Sequence, residues 1–189
     1  MIPDREEARR LVADAELTNP GAWARHSEWV ALCAERIAAA SGLDPERAYV
    51  SGLLHDIGRK FGRGHLAHVY DGYHYMTDLG YGEIARICLT HSFSVPSLDA
   101  YVGRLDIPEE KQRELQRLLD GLRYDDYDRL IQLCDAMAKS TGIVPMAERM
   151  LDVKRRYGRY PQEKWDANFA LKAYFDEKAG RDIYELLKE

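Results

Sequence analysis

The stretch 51-SGLLHDIGRK-60 carries an apolar run into a histidine and an aspartate side by side, then meets a glycine and two bases. Asp44 and Pro45 stand just upstream as a helix-start signal, so the run reads as one helix that Gly58 brings to a stop. Two side chains with metal affinity, placed where a helix ends, make a candidate site. The dipeptide alone is weak evidence. With six His and 17 Asp in 189 residues, chance gives roughly half of one His-Asp pair. Its meaning depends on partners supplied by the rest of the chain.

A chain of this length most simply forms one domain with a proper core. Hydrophobic residues make up 46% and charged residues 31%, with a mean hydropathy of −0.49, which is ordinary for a soluble globular protein. No apolar run approaches the ~20 residues of a membrane span. The N-terminal MIPDREEARRLVADAEL is charged and lacks the apolar core of a secretory signal, so the expected location is cytoplasmic. Cys33, Cys88 and Cys134 are odd in number and widely spaced, which suits buried thiols rather than a disulfide framework or a thiolate zinc site. A net charge of −5 and a pI of 5.7 argue against a general nucleic-acid surface. The basic 59-RKFGR-63 is a local exception and favours a small anionic substrate.

Helical spacing dominates and no alternating strand stands out. Helices are expected over 4–17, from Asn19-Pro20 to a stop at Gly42, from Asp44-Pro45 to Gly58, over 66–79 and over 82–92. Residues 93–107, with Pro96 and Gly103, form the longest expected loop. Further helices are expected over 108–120, 126–140, 145–157 and 162–178, with a short one at the end. The fold class is therefore all-α, a compact array of helices with short connections. Residues 1–19 are expected to pack as a helix on a domain of residues 20–142, and 143–189 to form a helical, aromatic-rich extension of it.

Several of these helices present a single polar residue among apolar ones. His26, in 23-WARHSEWVALCAERI-37, shares a face with Trp23 and Val30, where a satisfied core histidine is the plainer reading. Asp135, in 130-LIQLCDAMAK-139, lies mid-helix among apolar residues; a buried carboxylate must be neutralised, paired or metal-bound. Lys139, one turn on, offers the plain pairing. His91 ends 83-EIARICLTHS-92 in line with Ile87 and Cys88. His65, His68 and His74 crowd into one short span, and His68 is followed one turn later by Gly72, which would let another backbone approach. Separate structural roles would need many independent hydrogen-bond arrangements, whereas one metal centre accounts for all these residues together. Imidazole and carboxylate without thiolate suit Fe, Mn, Co or Zn, with Ni and Mg as further candidates.

Taken in order, His26, His55-Asp56 and Asp135 resemble the HD superfamily of metal-dependent phosphohydrolases over about residues 20–140. A subset of that family adds two histidines and holds two metals, and His68 and His91 match those positions in order and context. The resemblance thus implies an all-α HD domain with His26, His55, Asp56, His68, His91 and Asp135 as ligands to one or two divalent transition metals, leaving His65 and His74 outside. It is similar to small bacterial HD proteins that hydrolyse nucleotides or dinucleoside polyphosphates. One departure stands out: the common H-D-I-G-K reads H-D-I-G-R-K here, with Arg59 at the usual lysine position.

The implied chemistry is hydrolysis of a small phosphorylated substrate, a nucleotide first, by metal-activated water. Asp56, able to touch both metals, is the residue on which activity should depend, and Arg59, Lys60 and Lys139 are candidates to offset developing negative charge. Two rivals keep the fold: a di-iron oxygenase of a small organic molecule, and a catalytically silent helical regulatory module. An apparently complete ligand set disfavours the last.

Overall fold

The structure, a computed structural model, describes residues 1–188. Asp4 accepts a hydrogen bond from the Glu7 amide (2.8 Å) and so starts α1 (Arg5–Thr18). The second helix, α2 (Ala22–Ala40), begins later than Asn19-Pro20 suggested, with Gly21 as its cap. Asn19 is occupied elsewhere: its side-chain amide donates to the Arg59 carbonyl (2.6 Å), while its own carbonyl accepts from the Trp23 indole (2.9 Å). The link between α1 and α2 is thereby tied to the turn that follows His55-Asp56.

Asp44 caps α3 (Pro45–Leu54) by accepting from the amides of Glu46 (2.9 Å) and Arg47 (3.3 Å), with Pro45 at the first helical position. This helix ends at Leu54, before Gly58. His55 and Asp56 occupy the turn itself, and Ile57–Phe61 form a 3-10 helix. Gly58 acts as a contact glycine rather than a helix stop. A Cβ there would lie 2.0 Å from the His68 carbonyl oxygen and 2.5 Å from the Gly72 nitrogen. The backbone that approaches one turn beyond His68 is thus that of Gly58, seated against α4 (Ala67–Asp78).

A short turn leads to α5 (Gly82–Thr90). The expected long loop contains one 3-10 turn, Leu98–Ala100, and leads to α6 (Glu109–Asp120). The next helix, α7 (Asp126–Asp135), opens with a capping box between Asp125 and Asp128 and stops at Asp135 instead of running to 140. The chain then turns through a small antiparallel hairpin, β1 (Ala138–Lys139) and β2 (Gly142–Ile143), with Ala138 opposite Ile143. Two-residue strands leave no alternation to read in a sequence. Three helices close the chain: α8 (Met146–Tyr157), α9 (Gln162–Ala179) and α10 (Ile183–Leu186). The architecture is all-α, and among the described residues no helix is long and apolar enough to cross a membrane.

The segments after the hairpin share a core with the centre of the fold. Met146, Met150, Phe175 and Ile183 bury against Val30, Cys33 and Ile37 of α2 and Leu130, Ile131 and Cys134 of α7. Full burial of a side chain such as Phe175 stabilises by about 1.5–3 kcal/mol. A second apolar cluster joins Ala8, Leu11 and Val12 of α1 to Leu53, Leu54 and Ile57. All three cysteines are free and buried.

Candidate metal centre

The last-turn carbonyls of a helix lack intrahelical partners, and the site uses this twice. His55, directly after α3, sets its Nδ1 2.7 Å from the Gly52 carbonyl oxygen. His91, directly after α5, sets its Nδ1 2.9 Å from the Cys88 carbonyl oxygen. At the start of α4, the His68 Nδ1 meets the His65 carbonyl in the same i−3 pattern. An imidazole nitrogen facing a carbonyl oxygen carries a proton, so in the neutral form of each ring Nε2 is the atom left with the lone pair. Helix ends thus fix both the tautomer and the direction of three histidines.

The three Nε2 atoms converge on the two aspartates. His68 Nε2 lies 3.0 Å from Asp56 Oδ1 and 3.2 Å from His91 Nε2, and His91 Nε2 lies 3.5 Å from the same oxygen. His55 Nε2 stands 3.9 Å from Asp56 Oδ2 and 4.0 Å from Asp135 Oδ1. His26 Nε2, 109 residues away in sequence, is 3.0 Å from Asp135 Oδ1. Two donor groups result, His26/His55/Asp135 and His55/Asp56/His91, and within each the ligand atoms lie inside 4.8 Å of one another. His68 adjoins the second group.

These residues fit a cation. The Nε2 atoms of His68 and His91 face one another at 3.2 Å, and with both rings neutral and their Nδ1 protons on backbone carbonyls this contact is repulsive unless positive charge lies between them. His55 Nε2 is enclosed and has no hydrogen-bond partner. Burial pushes His55 toward its neutral form and lowers His91 to about 3, aided by the neighbouring His55. Burial opposes ionisation of Asp56, yet Arg59, His68 and His55 hold its carboxyl well below the usual range. Asp135 is half-buried, and its carboxyl is held low by His26, then by His55 and His91. Imidazole nitrogens gathered with two carboxylates form a donor set suited to a divalent metal.

The frame around these donors is braced. Asp128 of α7, fully buried, accepts from Arg86 Nε (3.0 Å), from the Thr90 hydroxyl (2.8 Å) and from the Asp125 amide (2.8 Å). This network locks α5, which delivers His91, to α7, which delivers Asp135.

The other sequence candidates divide. His74 pairs with Glu114 (Nε2 to Oε1, 3.2 Å), and the His65 ring faces Arg104 (3.2 Å), so neither ring joins the cluster. Arg59 Nε donates to Asp56 Oδ2 (2.6 Å), which gives it a carboxylate partner beside the site. Lys60 points elsewhere: its Nζ donates to the Tyr75 hydroxyl (3.2 Å) and lies over that ring, away from the cavity at the donors. The plain pairing of Asp135 with Lys139 is also absent, because Lys139 Nζ binds Glu148 (2.6 Å).

That cavity measures about 640 Å³ and reaches from Asp56, His68 and Asp135 to residues beyond the hairpin, among them Arg149, Tyr160, Lys164 and Asn168. These were missed in the sequence, where the region reads only as aromatic packing. Lys164 Nζ donates to the Ser92 carbonyl (2.5 Å), and burial lowers its pKa to about 8, partly opposed by Asp135. The family model of the HD domain matches residues 23–140. No curated protein and no solved structure matches the chain.

Proposed function

We propose, on the premise that this chain belongs to the HD-domain family, that it is a metal-dependent phosphohydrolase of small phosphorylated molecules, a nucleotide being the first candidate. Family membership points to metal-dependent hydrolase chemistry in general. The observation that carries the reading to these residues is the enclosed, partnerless His55 Nε2 within a ring of donors whose protons are committed elsewhere. His26, His55, Asp56 and Asp135 would hold one ion, and His68 and His91 would hold a second with Asp56 shared. A divalent transition metal bound there would acidify a water to near neutrality and polarise a phosphoryl oxygen.

The chain's own part in the reaction is positional and electrostatic. Asp56 is kept ionised by Arg59, and its two oxygens face different neighbours: Oδ1 faces His68 and His91, and Oδ2 faces His55 and Arg59. Arg59 also bonds the Gly64 carbonyl (3.3 Å), so its planar group is held flat beside the carboxylate with further N–H donors on the cavity side. Lys139 lines the cavity and is matched in charge by Glu148 behind it (2.6 Å).

The test is elemental analysis of protein purified without chelator, followed by a panel of nucleoside mono-, di- and triphosphates, cyclic dinucleotides and dinucleoside polyphosphates with Mn, Fe, Co and Mg. Metal-dependent release of phosphate or nucleotide is expected, with Asp56→Ala folded and essentially inactive. A metal-loaded preparation that hydrolyses none of these, yet consumes oxygen with an organic substrate, would replace the hydrolase with an oxygenase.

A further inference from the structure

Six cationic side chains line the cavity at the donor cluster: Arg59, Arg63, Lys139, Arg149, Arg156 and Lys164. Four of them face carboxylates: Arg59 with Asp56 (2.6 Å), Lys139 with Glu148 (2.6 Å), and Arg149 and Arg156 with Asp152 (3.8 and 3.2 Å). Arg63 stands exposed at the surface. Lys164 differs from all of these. It is half-buried, and among the described residues its ammonium has a hydrogen bond to the neutral Ser92 carbonyl but no carboxylate within ion-pair distance. An ammonium has three donors, and one carbonyl occupies a single one.

The location of this cation adds to its meaning. Ser92 follows His91 directly, so the Lys164 ammonium sits one residue from a candidate ligand. Lys164 also lies in the first turn of the eighteen-residue α9, where the helix dipole favours an anion. Two further polar atoms of the same cavity wall have no partner: Gln132 Oε1 and Ser94 Oγ are both enclosed. Gln132 is held against the same turn by its amide, which donates to the carbonyls of Thr90 (3.0 Å) and Phe93 (3.2 Å). Enclosed polar atoms left unpaired are costly, by about 1–3 kcal/mol each; the Ser94 hydroxyl can donate to an anionic oxygen, whereas Gln132 Oε1 accepts and calls for a hydroxyl or water of the bound molecule.

Resting on the phosphohydrolase reading, we infer that Lys164 is a substrate-binding residue that takes an anionic oxygen of the phosphoryl group, so that the chain after residue 142 supplies the anion-binding wall of the active site. This arrangement selects a terminal phosphate over an internal diester. A phosphomonoester has three non-bridging oxygens and close to two negative charges at neutral pH. It could meet the ammonium with one oxygen and a cation held by the donor cluster with another. An internal diester has two such oxygens and a single charge, and matches this wall less well.

The experiment compares metal-loaded wild type with Lys164→Met and Lys164→Arg, reading bound metal by elemental analysis and inorganic phosphate binding by calorimetry. Lys164→Met should keep its metal and bind phosphate about tenfold more weakly or worse, whereas Lys164→Arg should retain most of the affinity. A measurement on unmodified protein runs in parallel: phosphate should protect Lys164 from acetylation, read by mass spectrometry, and leave the exposed Lys188 unaffected. Unchanged phosphate binding by Lys164→Met, or acetylation of Lys164 indifferent to phosphate, overturns the inference and leaves the hydrolase reading standing. Metal-loaded wild type that neither binds phosphate nor hydrolyses the substrate panel overturns both.

Discussion

Replacing Gly58 by alanine tests whether the site depends on the close approach of two backbones. The new Cβ would stand 2.0 Å from the His68 carbonyl oxygen, 2.5 Å from the Gly72 nitrogen and 2.9 Å from the Gly72 Cα. All three are main-chain atoms, so no side chain can swing aside. An ordinary C···O contact is about 3.3 Å, which requires the 3-10 turn and α4 to part by about 1.3 Å. Overpacking of this kind costs about 1–3 kcal/mol or more. For a chain of this size that lowers the melting temperature by about 2–12 °C. The parting also moves Asp56 away from His68, which are now 3.0 Å apart. Bound metal should therefore fall although no ligand has been altered. Thermal unfolding and elemental analysis read both effects, with Gly82→Ala as control, since a Cβ there meets nothing within 4 Å. A Gly58→Ala protein that melts within a degree of wild type and carries its full metal complement would refute the reasoning.

Three other outcomes follow from the same geometry. Stripping metal with a chelator should lower the melting temperature by about 5–10 °C, because a ligand present at a hundredfold excess over its Kd stabilises by about 2.7 kcal/mol; calorimetry before and after metal restoration measures it, and an unchanged melting point would count against a native metal site. Lys60→Ala should leave phosphoester turnover within about twofold of wild type, since Lys60 engages Tyr75, whereas Arg59→Ala should slow it by tenfold or more through the loss of Asp56's partner; equal effects in a steady-state assay would contradict this separation. Asp128→Ala should cost about 3–5 kcal/mol in urea unfolding, because it leaves the Arg86 guanidinium without its buried partner, and a loss under 1 kcal/mol would show the α5–α7 brace to be weak.

Local signals were readable and distant meetings were not. Asp44-Pro45 announced α3 because a cap acts within three residues of itself. The stop at Gly58 was misread because a glycine needed for contact with α4 looks, in sequence, the same as one needed for a left-handed turn. Asn19 followed the same pattern: its cap chemistry was evident, but its use by the Arg59 carbonyl, 40 residues on, was not. Lys60 and Arg59 are neighbours in a tight 3-10 turn, where one step of rotation sends one side chain to Asp56 and the other to Tyr75. The convergence of His26 with Asp135 was suggested by family order, since periodicity can place each on an inner face without saying that the faces meet. Lys164 gave no signal at all, because its place depends on how α9 packs against α2 and α7.

The join between α9 and the donor cluster separates two kinds of constraint on this chain. The donor histidines hang on helix-end carbonyls and on the Asp128 brace, so a change in α3, α5 or α7 disturbs several of them together. The far wall is carried by helices anchored in the core through Phe175, Ile183 and Met150, and its cavity-facing residues bond one another or the hairpin instead of the donors: Arg149 meets the Ala138 carbonyl (2.8 Å) and Asn168 the Tyr160 hydroxyl (2.8 Å). A substitution at Arg149, Tyr160 or Asn168 can therefore reshape what fits without first breaking what reacts. A library confined to those positions is where altered selectivity should be sought.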